Sequence, residues 1–484
     1  MLKKYKLFNS TQISIIISII FSIFFSLRVF IEIGSDFAAY LSFAKDILGE
    51  KIIYDDFFSH KGPHFIMYLA LITKLIGFGQ IQAWFILTIT LLIFFLSILI
   101  LCKKFNTPNI LMLTIIFGIT TSLDGASPNA ILDIFLSSLI IGSFISFSNY
   151  LDNRKNNYLI MGFIFLSIAA LSRIDMIVNY LGILCFFIFS NNKFSLLKLF
   201  IVSMILIIIF LITKIGLKFS VNEFINQNFF FNFNYKMDLW GTFLNHFIRK
   251  NHFLILVSSS ILPIFLFIFF HYLKTKEIKK NFKNTFKLNS QSLSFIYLIT
   301  GFLIWFAIGS DNNFHFLTIF APILIFIIVN NKKYLLLNNT VKKIFLLLSI
   351  YGFIISSTYG LMIIKNNSEC ISNLPCKSSK NFNTFTTINK INNLNKDIYV
   401  LGGNGLISVL ANKKILSNVN NYWFYLNDNF YHKTIYQNYK YLISNKNINF
   451  LVDESILHTP KIIDLTNQSV FIEKIGNYYF FKTK

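Results

Sequence analysis

Long apolar runs separated by short polar stops dominate this chain. The first, roughly Gln12 to Gly34, is long enough to cross a bilayer. Further runs of that kind occupy 80–101, 109–123, 129–150, 157–171, 174–190, 196–215, 252–274, 290–308, 314–330 and 342–365. A helix rises about 1.5 Å per residue and needs about 20 apolar residues to span, so the pattern predicts about eleven transmembrane helices. His64–Phe78 is apolar but too short to cross, and reads as a helix lying on the membrane surface. After about Lys365 the pattern changes, because residues 366–484 are polar, Asn-rich and without a span. Within them, Asn383–Asn393 has the spacing of an amphipathic helix, and Asp397–Leu401 reads as a buried strand ending in Gly402-Gly403-Asn404-Gly405. Asn447–Val452 and Val470–Phe481 predict further strands, the second folded into a hairpin about Gly476. The glycine-rich turn lacks the G-x-G-x-x-G setting of a phosphate loop and is taken as a turn. The expected fold is therefore an α-helical polytopic membrane domain, 1–365, followed by a small α/β domain, 366–484.

Charge adds sidedness to this picture. Lys3/Lys4/Lys6, Lys103/Lys104, Arg154/Lys155, Lys193/Lys198, the cluster from Lys274 to Lys287 and Lys332/Lys333/Lys342/Lys343 stop the runs. They fall on one side, the cytoplasmic one, only if the 64–78 segment does not cross. Residues 34–79 then form a first outer loop with surface helices, 216–251 form a second, and 366–484 are extracytoplasmic. The basic N-terminus and the long run after it read as a retained first span, not a cleaved signal.

Composition supports a membrane protein and narrows its partners. Of 484 residues, 55% are hydrophobic and 59 are Phe, more apolar surface than a soluble domain can bury. The net charge of +23 is spread over loops with no groove-reading motif, so no nucleic-acid partner is expected. Four cysteines are too few for a disulfide scaffold. Cys102 and Cys185 lie in or beside apolar runs as packing residues. Cys370 and Cys376 are close enough in sequence to pair on an oxidising side, or to remain two thiols.

Candidate chemistry gathers between Arg28 and Pro63, just past the end of the first span. Asp36 reads either as a helix-capping carboxylate or as a base placed at headgroup level, and Tyr40, His60 and Lys61 nearby favour the base. Lys61 reads as a snorkelling lysine or a phosphate contact, and His60 as polar support or a surface residue. Asp124, beside Ser127-Pro128-Asn129, is a second cavity-facing acid or a turn residue. Asp133 lies about a turn inside a span, where an ionisable group is costly and often functional. Arg173 and Asp175 bracket Ile174 between two spans, and either pair with one another or leave Arg173 for an anion. Asp311-Asn312-Asn313-Phe314-His315 precedes a span containing Pro322. No H-E-x-x-H or similar spacing marks a metal site.

The order Arg28, Asp36, Tyr40, Ala44, Gly49, Tyr54 and His60-Lys61-Gly62-Pro63 resembles the first outer loop of GT-C glycosyltransferases. It is most similar to glycosyltransferase family 39, which includes protein O-mannosyltransferases and lipid A aminoarabinose transferases. The motif-level likeness covers about 28–84. The chain has Asp-Phe where the mannosyltransferases carry Asp-Glu, and Lys-Gly-Pro where the aminoarabinose transferases carry Lys-Pro-Pro.

The resemblance implies that Asp36 is the catalytic base and that Lys61 contacts the phosphate of a polyprenyl donor. Arg173, from its position between two spans, and His315, from a likeness to the family's entry to a late span, are further candidates for the donor phosphate. Tyr40, His60 and Asp124 would support the acceptor. It also implies no cofactor and no metal, an undecaprenyl-phosphate sugar as donor, and a glycan, lipid or protein acceptor outside a bacterial inner membrane. An O-antigen ligase or polymerase, hinted at by Arg249 and His252, and a lipid or solute transporter are the competing readings. A transporter predicts repeated halves and midplane charges, and no internal repeat is found.

Overall fold

The computed structural model describes residues 10–30, 33, 35–57, 59–77, 79–107, 111–112, 115–116, 128–189, 195–230, 289–308, 317–330, 343, 347, 350–351, 354, 358, 365, 387–388, 390–393, 398–401 and 440–484. The expected span at 252–274, the basic cluster after it, the Cys370/Cys376 pair and the Gly402–Gly405 turn lie outside these residues. The runs at 109–123 and 342–365 also lie outside, apart from isolated positions.

Apolar helices make up most of what is described. Gln12–Phe30, Gln80–Lys104, Pro128–Asn153 and Leu197–Leu217 are long and apolar enough to cross a membrane. Pro63–Ile76, Asn156–Ser172, Ile174–Phe189, Ser290–Trp305 and Ile319–Asn330 are shorter apolar helices. Among the described residues, then, four of the eleven expected crossings have full spanning length. The chain divides into two compact units. One holds Met1–Phe25, Thr88–Thr213 and Phe233–Met362; the other holds Ser26–Leu87, Lys214–Asn232 and Ile363–Lys484.

In the first unit, α5 (Ile131–Asn153) packs against α6 (Asn156–Ser172) and α11 (Leu317–Asn330). Helix α10 (Ser290–Ile308) packs against α11 and α7 (Ile177–Phe189). Lipid is as apolar as a leucine side chain, so such helices associate through close packing and polar contacts. Both devices are present. Gly162 lies under the Phe147 ring and Gly301 lies against Pro322, with no room for a larger residue at either place. Ser143 and Tyr297 share a hydrogen bond of 2.7 Å, Ser148 and Ser290 one of 2.8 Å, and Thr300 donates to Asn179 Oδ1 at 2.5 Å. By contrast α8 (Leu196–Leu217) leaves Phe200, Ile208, Leu211, Ile212 and Ile215 exposed, the kind of surface a bilayer covers.

In the second unit, the C-terminal residues form a four-stranded sheet of order β1-β2-β4-β3. The strands are β1 (Tyr399–Leu401), β2 (Asn449–Asp453), β3 (Ser469–Ile475) and β4 (Tyr478–Thr483). β1 and β2 run parallel, with Val400 opposite Leu451, while β2–β4 and β3–β4 are antiparallel. Alternate residues serve opposite faces. Val400, Leu451 and Phe480 join Ile388 and Ile391 on one side, and Leu401, Phe450, Val452 and Phe481 join Ile462 and Leu465 on the other. The three strand regions expected from the sequence are the ones found, and Gly476 turns the hairpin with φ 58°. Helix α12 (Pro460–Asn467), which covers one face, was not foreseen, although Pro460 in its first turn is a start signal.

Candidate active site

The first outer loop folds as two short helices. Helix α2 (Ser35–Leu48) carries Asp36 in its first turn, where the helix dipole favours a carboxylate. One turn on, Tyr40 is buried and meets Phe65 edge-on, with ring centres 5.3 Å apart. Phe65 stands in the first turn of α3 (Pro63–Ile76), and Phe43 stacks on Phe57 at 5.5 Å. The two helices pack against each other. Asp36 lies four residues before Tyr40 in α2, and Lys61 four residues before Phe65, in the turn that leads into α3. Asp36, His60 and Lys61 are all half-buried.

Several features fix this corner. Gly62 enters α3 extended (φ −71°, ψ 159°), with no side-chain cap, and Pro63 takes the first helical position, where its missing N–H costs nothing. The positive end of α3 and the Lys61 ammonium are thus neighbours in the chain, a pairing suited to an anion. Tyr54 is fully buried with φ 72°, and burial pushes its phenol pKa well up, so it stays a neutral donor. Burial also raises the Asp46 carboxyl above its ordinary value, against the opposing pull of Lys51 at 2.8 Å.

Helix α3 spans 14 residues, or about 21 Å, short of the roughly 30 Å hydrocarbon core of a bilayer. Phe65, Ile66 and Leu69 are buried, while Met67, Leu71 and Leu75 form a bare stripe, with Leu75 78% exposed. That is the profile of a helix half-sunk in a membrane surface.

A second loop braces the first. After α8, Val221–Ile225 forms a short helix, α9, followed by a π turn, Asn226–Phe230. Ser220 N donates to Asp55 Oδ2 at 2.9 Å, and Ser59 N donates to Gln227 Oε1 at 2.9 Å. Phe219 and Phe224 meet the Tyr54 ring edge-on at 5.3 and 5.5 Å. Sequence reasoning missed Gln227, because its partner is 168 residues away and no periodicity reports such a contact. The one available signal was three consecutive polar residues, Asn226-Gln227-Asn228, among phenylalanines.

The other unit contains a buried charge cluster. Arg173 breaks the chain between α6 and a 3-10 turn, with extended φ −152°. Its Nε donates to Asp175 Oδ1 at 2.8 Å, and its Nη1 pairs with Asp133 Oδ1 in the first turn of α5. Burial opposes the guanidinium charge, but the Asp175 and Asp133 carboxylates outweigh it and hold the pKa above its ordinary value. Pairing with Asp175 was one of the two sequence readings; Asp133 as a second partner was not foreseen. Nη2 of Arg173 has no hydrogen-bond partner among the described residues. Asp124 and His315, and Arg249 and His252, lie outside the described residues. Cys102 is buried and Cys185 exposed, both as free thiols. Among the described residues no three His, Cys, Asp or Glu side chains gather closely enough to hold a metal ion.

No protein-family model matches the sequence, and no curated protein matches it. Solved structures do match. ArnT from Cupriavidus metallidurans bound to undecaprenyl phosphate aligns with a TM-score of 0.56 at 10% identity, over 97% of this chain and 97% of that one. The apo state of the same protein aligns with a TM-score of 0.59, again at 10% identity and 97% coverage of each chain. The fold is therefore the GT-C fold that the first-loop motif suggested. At this identity the likeness establishes fold, and activity has to be argued from the site.

Proposed function

We propose that this chain is an integral-membrane glycosyltransferase that moves a sugar from a polyprenyl-phosphate donor to an acceptor outside the membrane, with inversion. The observation that carries this reading is the fold of the first outer loop, with Asp36 in the first turn of α2, Lys61 leading into α3, and Tyr40 of α2 packed on Phe65 of α3. Its support is a fold shared with a protein crystallised on undecaprenyl phosphate.

The chemistry follows from Asp36 and Lys61. The Asp36 carboxylate takes the proton from an acceptor hydroxyl or amine as the acceptor atom attacks the anomeric carbon. The bond from that carbon to the phosphate oxygen breaks, and the polyprenyl phosphate leaves with the electron pair. Lys61 and the start of α3 hold the negative charge that grows on the departing phosphate. One displacement on one face inverts the anomeric centre. Tyr40 packs the base-bearing turn, and His60 stands beside Lys61 as polar support. Asp124 and His315 are proposed for acceptor and donor headgroup on sequence grounds. No cofactor or metal is required.

Comparing surface glycans by mass spectrometry tests the reading, in cells lacking the chain and complemented with wild type or Asp36→Asn. Loss of a general base costs about 10²–10⁴-fold in rate, so the variant should leave the same residue mass missing as the empty cells. A transporter would tolerate Asp36→Asn, and restored glycans in that strain would overturn the proposal.

A further inference from the structure

The Lys61 backbone is clamped within its own loop, and the clamp is held in turn from outside it. The Lys61 carbonyl accepts the Tyr54 hydroxyl at 2.9 Å and the Ser59 hydroxyl at 3.1 Å, and its N–H donates to Ser59 Oγ at 3.3 Å. Those clamps fix the backbone from which the ammonium projects. Both clamping residues are themselves tied to one amide. Gln227 accepts from Ser59 N at 2.9 Å through Oε1, and donates from Nε2 to the Tyr54 carbonyl at 2.7 Å. Gln227, Ser59 and Tyr54 are 2%, 0% and 1% exposed, so water cannot substitute for a missing partner. The amide sits in the π turn at the start of the second outer loop, a distortion that aims this side chain into the first.

From this geometry we infer that Gln227 is a positioning residue for the phosphate-binding lysine, so that donor affinity is set jointly by the two outer loops. The inference rests on the reading of Lys61 given above and adds the device that orients it. A primary amide is needed because the segment presents one buried donor, Ser59 N, and one buried acceptor, the Tyr54 carbonyl. A residue offering only one kind of group leaves the other unsatisfied. Any drift of residues 54–59 passes to Lys61 through the two hydroxyls.

A double-mutant cycle on the purified full chain in nanodiscs tests this, with undecaprenyl phosphate as the probe. Gln227→Leu should weaken binding about tenfold, the scale of leaving buried polar groups unpaired. In a Lys61→Ala background it should cause no further loss. Thermal melts run alongside, and if Gln227→Leu does not fold, Tyr54→Phe, which removes only the hydroxyl, takes its place in the cycle. Equal losses with and without Lys61 would make Gln227 a purely structural brace, and no loss at all would also overturn the inference. The reading of Lys61 is judged separately by the single Lys61→Ala variant: unchanged affinity there defeats that reading and the inference with it.

Discussion

Arg173 shows how a side chain's partners are only partly visible in its sequence surroundings. An arginine between two apolar runs reads as an anion site or as the partner of its near neighbour Asp175. The structure engages it with Asp175 and also with Asp133, 40 residues earlier. Two carboxylates share one guanidinium, all deeply buried. Removing the cation strands two like charges, and breaking a buried pair costs about 3–5 kcal/mol. Arg173→Met should therefore lower the melting temperature in detergent sharply, and Asp133→Asn, which keeps a hydrogen-bond acceptor, should do so less. A small shift for Arg173→Met would show that the cluster contributes little to holding α5 and the 172–177 break together. The place of Asp36 at a helix start was easier to foresee. The reading of Asp36 as a base leaned on Tyr40, His60 and Lys61 and on the family resemblance, whereas its place in the first turn of α2 is a local property of the sequence.

The elements divide in the same way between local and distant causes. Strand alternation, the glycine of the hairpin and the stop in hydrophobicity near Lys365 were all legible, since each is written in consecutive residues. The pairing of Arg173 with Asp133, the π turn and the clamp on Ser59 were not, because they depend on partners brought together only by folding. Close helix contact is an intermediate case. Gly301 in α10 could be read as a gap in an apolar run, yet nothing in the sequence said that Pro322 of α11 fills it. A methyl at Gly301 would stand 2.6 Å from Pro322 Cγ, and a proline ring cannot swing aside. Overpacking of this kind costs about 1–3 kcal/mol. Gly301→Ala should lower the melting temperature, whereas Gly216→Ala, with open space around it, should lower it by no more than helix propensity dictates. Equal shifts would mean that α10 and α11 can part without penalty.

For the whole molecule, sidedness rests on the distribution of Lys and Arg. The proposal places the C-terminal sheet outside and the Lys103-Lys104 end of α4 (Gln80–Lys104) inside. Lys446 and Lys103 are both exposed, so each can report through a single cysteine in a chain whose four native cysteines are replaced by serine. A membrane-impermeant maleimide applied to intact spheroplasts should label Lys446→Cys at once and Lys103→Cys only after permeabilisation. The reverse order would put the site on the wrong face of the membrane for the proposed acceptors.

Under the proposed function, the bare stripe of Met67, Leu71 and Leu75 carries a kinetic consequence. A donor with a long isoprenoid tail never swims freely in water; it wanders sideways within one leaflet. On that proposal, a transferase whose Lys61 leads directly into a helix afloat in that leaflet would meet its donor as two bodies meet on a plane, so crowding per lipid, not per litre, would govern how often they collide.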